Sequence, residues 1–237
     1  MKKLGFTLAE TLIVMGIIGV VAALALPNLN SSTGDREKVA KVKKVYSNLN
    51  DAYGRATAVY GPIEDWKKGG SYVTATTFAE RLTEFMKVSK NCGSTSNQGC
   101  FSQKKVMYAN NTDSTVILDT YNPGSAYRFT TADGTSILIT QPPVECLVIW
   151  IDIDGPQKGK NQYGSDIFGF AIHYGNLNTN SATAEIQPYG YNYSSFSTIL
   201  NNVKTTGECG AKWILDYDNV DYLKCPSKLT ANNTSCK

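Results

Sequence analysis

Residues 12–26 read LIVMGIIGVVAALAL, in which only two glycines interrupt a run of hydrophobic side chains. Extended back to residue 6, the segment would form about 31 Å of α-helix, which matches a hydrocarbon core of about 30 Å. Lys2 and Lys3 precede it. A cleaved signal peptide has the same basic start, but its apolar stretch is shorter and is followed by a small-residue cleavage site. Because this run ends in Leu-Pro-Asn-Leu, we expect it to be a membrane-length helix that the mature chain keeps.

Glu10 lies inside this apolar segment. A carboxylate costs roughly 2.5–3.5 kcal/mol at the centre of a membrane helix and less near an end, so it normally has a function and a partner. An ordinary signal peptide has no use for such a residue. Glu10 therefore indicates a segment with a role of its own.

Residues 5–10 read Gly-Phe-Thr-Leu-Ala-Glu after a short basic leader. This string resembles the prepilin peptidase motif of type IV pilins and type II secretion pseudopilins. The resemblance implies cleavage between Gly5 and Phe6, N-methylation of Phe6, and retention of Glu10. A methylated amine stays basic, so Glu10 of one subunit can neutralise the Phe6 amine of its neighbour and remove two unpaired charges from the membrane.

Small residues recur along the apolar segment. Gly16, Gly19 and Ala23 would let helices approach closely in a filament core, and Gly19 with Ala23 forms a small-xxx-small pair. The alternative is that these residues are simple apolar filler. Pro27 removes a helical N–H, so we expect a kink or local melting there, and the family often carries a proline at this place.

A second helical segment follows Pro27, and we expect residues 31–34 to interrupt it. Its apolar residues then recur at intervals of three and four, which is typical of one buried helix face. They are Val39, Val42, Tyr46, Leu49, Tyr53, Ala56 and Tyr60. The stripe favours a helix packed on a globular head, with a coiled coil as the alternative, and Gly61-Pro62 ends it.

Basic residues complicate the predicted orientation. Five of them follow the apolar run: Arg36, Lys38, Lys41, Lys43 and Lys44. The positive-inside rule alone would place them in the cytoplasm. The six cysteines and the prepilin motif instead require a body outside the cytoplasm. We therefore interpret the basic cluster as a solvated helix face.

The remainder of the chain carries the signals of an α+β head. Thr77 and Glu80 predict a capping box for a short helix through Met86. Asp133-Gly134 between two β-rich runs predicts a hairpin. The predicted strands are residues 115–120, 127–131, 136–140, 146–153 and 167–174. A long helix on an antiparallel sheet of four or five strands is an α+β architecture, and the resemblance implies the pilin-like fold.

These signals divide the chain into four parts. Residues 1–5 are the expected leader, 6–27 the transmembrane and assembly helix, 28–60 the amphipathic half of the long helix, and 61–237 the globular head with disulfides. The resemblance implies a single-pass protein of the cytoplasmic membrane with its N-terminus in the cytoplasm, which later enters a periplasmic or extracellular filament.

A polar loop in the head raises the question of a metal site. Asp152, Asp154, Asn161 and Asp166 lie on a glycine-bearing stretch, and clustered side-chain oxygens suit calcium. A similar string recurs in pseudopilin-like proteins, often with a C-terminal segment like Cys209-Gly-Ala-Lys-Trp-Ile. The spacing does not match an EF-hand, and hydrogen-bonded turn capping is the alternative. We expect no obligatory cofactor.

The six cysteines allow 15 connectivities. Cys92 with Cys100 and Cys225 with Cys236 each enclose a short polar loop. Pairing each of these locally leaves Cys146 with Cys209. We predict this set, with free thiols as the alternative.

Composition excludes several enzyme classes. One His, no C-x-x-C pair and no H-E-x-x-H motif argue against a zinc enzyme, and a Ser-His-Asp triad would have to use His173 alone. The 23 Lys+Arg nearly balance the 20 Asp+Glu, which makes a nucleic-acid partner unlikely by charge. We expect no catalytic activity.

The function that the resemblance implies is that of a filament subunit. Its partners would be identical or homologous pilins, the prepilin peptidase and methylase, the membrane, and the assembly platform with its ATPase. The alternative is a minor or tip subunit that acts as an adhesin or in DNA uptake, for which Tyr189, Tyr191 and Tyr193 could supply aromatic contacts.

Overall fold

The computed structural model describes residues 8–70, 72–122, 124–142, 145–174 and 184–236, with the backbone alone for 22–32. The helices are α1 (Leu8–Tyr60), α2 (Ala75–Thr83), α3 (Phe196–Thr205) and α4 (Gly210–Tyr217). The strands are β1 (Val88–Gly93), β2 (Ala126–Thr131), β3 (Ser136–Thr140), β4 (Cys146–Asp152), β5 (Ile167–His173) and β6 (Ile186–Pro188). Short 3₁₀ turns occupy Ile63–Trp66, Asp221–Leu223 and Pro226–Lys228. The architecture is α+β.

Helix α1 is unbroken over its 53 residues. The expected local melting near Pro27 and the expected interruption over residues 31–34 are therefore wrong, whereas a kink at Pro27 stays a prediction. A proline removes one backbone hydrogen bond and a glycine costs about 1 kcal/mol. Neither has to end a helix that continues on both sides, because propagation adds one hydrogen bond per residue. The chain divides into two compact units, Met1–Lys38 and Val39–Lys237, and the boundary lies within α1.

The six strands form one antiparallel meander in the order β1-β2-β3-β4-β5-β6. The predicted hairpin is present: β2 and β3 pair from Ala126 opposite Thr140 to Thr130 opposite Ser136. Gly134 in its turn has a φ of 88°, which glycine adopts without steric cost. Each strand pairs in an antiparallel orientation with the next strand along the chain.

One face of the sheet packs against the C-terminal half of α1. Leu49 is fully buried, and Tyr46 stacks on Phe170 of β5 with ring centroids 5.5 Å apart. The apolar stripe predicted from the sequence is confirmed, since Val39, Val42, Leu49, Tyr53 and Ala56 are buried and Tyr46 and Tyr60 are partly buried against the same cluster. The prediction succeeded because apolar residues three and four positions apart lie on one face of a helix with 3.6 residues per turn.

The opposite face of the sheet is covered by the segment between β1 and β2. Phe101, Val106 and Leu118 pack there against Leu138 and Trp150. As a result, every residue of β3 is buried. The second cluster explains why the central strands are apolar on both faces rather than alternating.

The segment at residues 115–120 was predicted as a strand, and that prediction is wrong. It forms turns in which Thr120 N–H donates to the Ile117 carbonyl. The Leu118 carbonyl accepts a hydrogen bond of 2.9 Å from Nε of the fully buried Arg128. The segment wraps around this buried guanidinium, which a strand could not do.

The start of α2 also differs from the prediction. Its N-cap is Thr74, whose hydroxyl accepts from Thr77 N–H at 3.1 Å, so Thr77 lies inside the helix and does not cap it. Phe78 and Leu82 are buried as expected.

The structure contains two disulfides, Cys92–Cys100 and Cys225–Cys236. The predicted Cys146–Cys209 bond is not formed, and both residues are buried free thiols. Cys146 shares its face of β4 with Trp150 of the second cluster, whereas Cys209 belongs to the first cluster around α1. The nearest polar group to the Cys146 thiol is His173 Nε2 at 3.5 Å.

Candidate functional site

The N-terminal part of α1 exposes apolar side chains on every side. All residues from 8 to 21 are exposed, including Leu8 at 81% and Met15 at 74%. Contiguous apolar patches of this kind mark surfaces for proteins or membranes, because soluble monomers rarely expose them. Among the described residues, no helix is both long and apolar enough to span a membrane.

Glu10 lies in the first turn of α1 and is exposed. The neighbouring Thr11 hydroxyl donates to the Leu8 carbonyl at 2.9 Å. Gly5 and Phe6, the predicted cleavage and methylation residues, lie outside the described residues.

Gly16 and Gly19 leave open space on the helix surface. An added Cβ at either position would meet no other atom within 4 Å. Neither glycine is therefore required by packing within the described part of this chain, which leaves close approach by a second helix as a use for them. Ala23 and Pro27 lie in α1, but their side chains are outside the described residues.

Three of the five basic residues after the apolar run bind carboxylates of the head. Lys41 contacts Asp154 at 3.0 Å, Lys43 contacts Asp218 at 2.6 Å, and Lys44 contacts Asp133 at 2.8 Å. The side chains of the three lysines are still 38%, 42% and 58% exposed, so these ion pairs lie on a solvated helix face. The three carboxylates follow β2, β4 and α4, so the helix is held against three separate loops.

The residues predicted to bind calcium are occupied by internal hydrogen bonds. Asp152 Oδ1 accepts from the N–H groups of Asp154 and Gly155 at 3.1 and 3.0 Å. Asp166 accepts from the N–H groups of Asn161 and Gln162, each at 2.7 Å. Asp154 is paired with Lys41 at 3.0 Å. These carboxylates act as caps of the loop turns.

The side-chain amide of Asn161 is also committed, since it donates to the carbonyls of Lys104 and Lys105 at 3.0 and 2.8 Å. In the part of the chain that the structure describes, no group of three or more His, Cys, Asp or Glu could hold a metal ion. Burial, followed by the negative charge of Asp166, raises the pKa of Asp152 to about 7.

The donor set as placed does not fit calcium well, because the ion takes six to eight oxygen ligands. The arrangement favours turn capping, and calcium binding stays a prediction. A chelator that lowers the thermal midpoint of the purified chain would support the metal over turn capping.

Comparison with known proteins identifies the N-terminal segment. Residues 1–26 match the family model described as the prokaryotic N-terminal methylation motif. This is the prepilin motif of type IV pilins and pseudopilins, and it supports a role as a pilin-like substrate of prepilin peptidase. No curated protein and no solved structure matches the chain. The motif covers Glu10, Gly16, Gly19 and Ala23 of the residues that we predicted to act in assembly, and the fifth, Pro27, lies just after it.

Proposed function

We propose that the chain is a structural subunit of a type IV pilus-like or type II secretion pseudopilus filament. It is cut between Gly5 and Phe6, methylated on Phe6, and assembled through the N-terminal part of α1. Before assembly it resides in the cytoplasmic membrane with its head outside, and its partners are identical or homologous subunits, the assembly platform and the ATPase. The chain performs no catalysis of its own in this role.

The observation that carries the proposal is the exposed apolar surface of residues 8–21, which lies within the prepilin motif. Burying apolar surface contributes roughly 25 cal/mol per Å². A helix that is apolar on every side gains this energy in a membrane or among other helices. Moving from the lipid into a filament core keeps these side chains away from water, and it gives Glu10 access to the charged N-terminus of a neighbour.

The α+β head with a long helix on an antiparallel sheet also supports a pilin-like fold. In this arrangement, the paired lysines of α1 would keep the helix and the sheet together while the exposed apolar part takes part in assembly. A tip or minor subunit with an adhesive or DNA-uptake role is the alternative that we predicted from the sequence.

The test of the proposal removes the charge of Glu10. We expect Glu10→Ala and Glu10→Gln to abolish filaments, while membrane insertion and leader cleavage continue. An unpaired Phe6 amine in the assembled core would cost about 3–5 kcal/mol, which is more than a hundredfold in assembly equilibrium. The measurements are sheared filament yield and the mass of the membrane-bound chain, which reports cleavage and methylation.

Glu37→Ala is the matched control, because Glu37 is a second exposed carboxylate of α1 that follows the apolar run. It should assemble normally. Filaments of normal yield from Glu10→Gln would overturn the charge-pairing account. Retention of residues 1–5 in the wild-type chain would overturn the processing step.

A further inference from the structure

A small cavity lies on the sheet face that points away from α1. Its volume is about 190 Å³, and it is lined by four aromatic side chains, Tyr121, Trp150, Tyr163 and Tyr189. Among the described residues, Glu208 is the one charged side chain that lines it, and Asn122 is also part of the lining. All of these residues belong to the head, so the cavity is separate from the apolar N-terminal helix and from the proposed assembly role.

The aromatic wall is built around Trp150 of β4. The Trp150 ring lies 4.9 Å from that of Tyr163 and 5.3 Å from that of Tyr189, between centroids. Gly169 of β5 is directly opposite Trp150 in the sheet. A Cβ added at Gly169 would lie 2.7 Å from Trp150 Cζ3, so the glycine makes room for the indole to rest on the strand. The position of the ring is therefore fixed by the sheet.

Glu208 gives the cavity a negative charge. Glu208 is half-buried, and its Oε2 accepts a hydrogen bond from the Thr206 hydroxyl at 3.2 Å. Among the described residues, no Lys or Arg lines the cavity or forms an ion pair with Glu208. Burial and then the charge of Glu208 raise the pKa of Tyr163, and they raise the pKa of Tyr189 to about 12. Both phenols are therefore neutral at physiological pH.

We propose that this cavity binds an alkylammonium group, either as a small organic cation or as the side chain of a lysine from another protein. The electron-rich faces of Trp and Tyr attract cations, and a quaternary ammonium is a typical guest of such aromatic walls. A carboxylate at the same wall adds direct Coulomb attraction. A neutral sugar would not use the negative charge of Glu208, whereas a cation would.

The test titrates the full chain in a polyoxyethylene detergent, which contains neither choline nor sugar. The probe is choline, and 3,3-dimethylbutanol serves as its uncharged analogue of the same shape. Binding is followed by calorimetry and by saturation-transfer NMR of the ligand methyl protons. We expect choline to bind at least about tenfold more tightly than the alcohol, since tenfold corresponds to the loss of one modest charge interaction.

Three variants connect the binding to the cavity. Glu208→Gln should weaken choline about tenfold and leave the alcohol unchanged, because only the cation uses the carboxylate. Trp150→Phe should weaken choline as well, since Trp is the best cation–π partner. The matched control is Glu185→Gln, which removes an exposed carboxylate outside the cavity. Near-UV circular dichroism checks that each variant is folded.

A second ligand distinguishes the two forms of the ammonium group, which are a small organic cation and a lysine side chain of another protein. Nα-acetyl-lysine methylamide competing with choline at similar concentrations would assign the site to a protein side chain, and choline binding alone would assign it to a small organic cation. Three outcomes would overturn the proposal. They are equal binding of choline and dimethylbutanol, preference for a methyl glycoside over both, and no binding of any of these ligands.

Discussion

Arg128 is a fully buried cation whose contacts decide the path of the loop between β1 and β2. Its Nε donates to the Leu118 carbonyl and its Nη2 to the Tyr121 carbonyl. Burial lowers the pKa of Arg128, while the charge of Asp119 raises it. Asp119 is itself fully buried and accepts a hydrogen bond from Phe101 N–H at 3.4 Å. The two residues thus compensate each other in a site from which water is excluded.

We expect Arg128→Met to lower the free energy of unfolding by about 3–5 kcal/mol, because it leaves the charge of Asp119 buried without compensation. The double variant Arg128→Met with Asp119→Leu should recover part of this loss, since neither charge remains. Urea unfolding of the detergent-solubilised chain measures both values.

Arg55→Met is the matched control, because Arg55 forms an exposed ion pair with Asp51 at 3.2 Å. Its effect should stay below about 1 kcal/mol. Equal losses from the buried and the exposed arginine would contradict the account of Arg128.

The ion pair between Lys44 and Asp133 predicts a pH dependence of stability. Burial alone would raise the pKa of Asp133, but hydrogen bonds from Lys44 and Thr131 lower it to about 2. An unfolded Asp titrates near 3.9. The unfolded state therefore binds the proton more tightly, and the stabilisation is complete above about pH 4 and is lost as the pH falls toward 2.

Lys44→Met should flatten this dependence between about pH 4 and 2, measured as the thermal midpoint across a pH series. The effect should stay below about 1 kcal/mol because the pair is partly exposed. Lys43→Met removes the neighbouring pair with Asp218, and it serves as the comparison. A steeper loss of stability in the Lys44 variant would be the wrong sign for this mechanism.

At the scale of elements, Cys146 of β4 and Cys209 just before α4 are buried free thiols rather than the predicted disulfide. Burial raises the pKa of Cys146 to about 11 and that of Cys209 to about 12, so both remain protonated thiols. Neither is accessible in the folded chain. We expect iodoacetamide to label neither residue in the native protein, and to label Cys146 and Cys209 alone after denaturation without reduction.

Peptide mapping by mass spectrometry reads this labelling directly. Labelling of all six cysteines after denaturation and reduction is the positive control. Protection of Cys146 and Cys209 in the denatured, unreduced chain would show that they are joined, and it would restore the third disulfide predicted from the sequence.

The elements that the sequence predicts well are those with strong local patterns. The stripe of α1, the Asp133-Gly134 hairpin and the apolar runs of β4 and β5 each depend on neighbouring residues. Strand β1, in contrast, reads VSKNCG and has three exposed residues in succession, so it carries no apolar alternation. It is an edge strand, whose place depends on pairing with β2 rather than on its own composition.

The aromatic cavity could not be predicted for a related reason. Its wall combines Tyr121, Trp150, Tyr163 and Glu208, which lie in separate segments of the chain. No spacing rule connects such residues, because only the sheet and its covering loop bring them together. The N-terminal site was predictable because the leader, the acid and the apolar helix are contiguous in the sequence.

At the scale of the whole molecule, exposed apolar surface is concentrated at one end of the chain. Among the described residues, the large hydrophobic side chains that are highly exposed fall within 8–21, apart from Val59. The unit Val39–Lys237 contains its own core, to which the second half of α1 contributes Val42, Leu49 and Ala56. Assembly and head stability are thus assigned to different parts of one helix.

We therefore expect a fragment of residues 39–237 to fold without detergent as a monomer. It should unfold cooperatively in urea and sediment as a single species, because it lacks the exposed apolar residues and keeps its core intact. A fragment of residues 61–237 is the matched comparison, since it loses the helix that covers Phe170 and the rest of that sheet face. Leu49 is fully buried, and the loss of this one side chain would by itself cost about 2–5 kcal/mol. The shorter fragment should therefore lack a cooperative transition, and equal cooperativity of the two fragments would contradict this division of labour within α1.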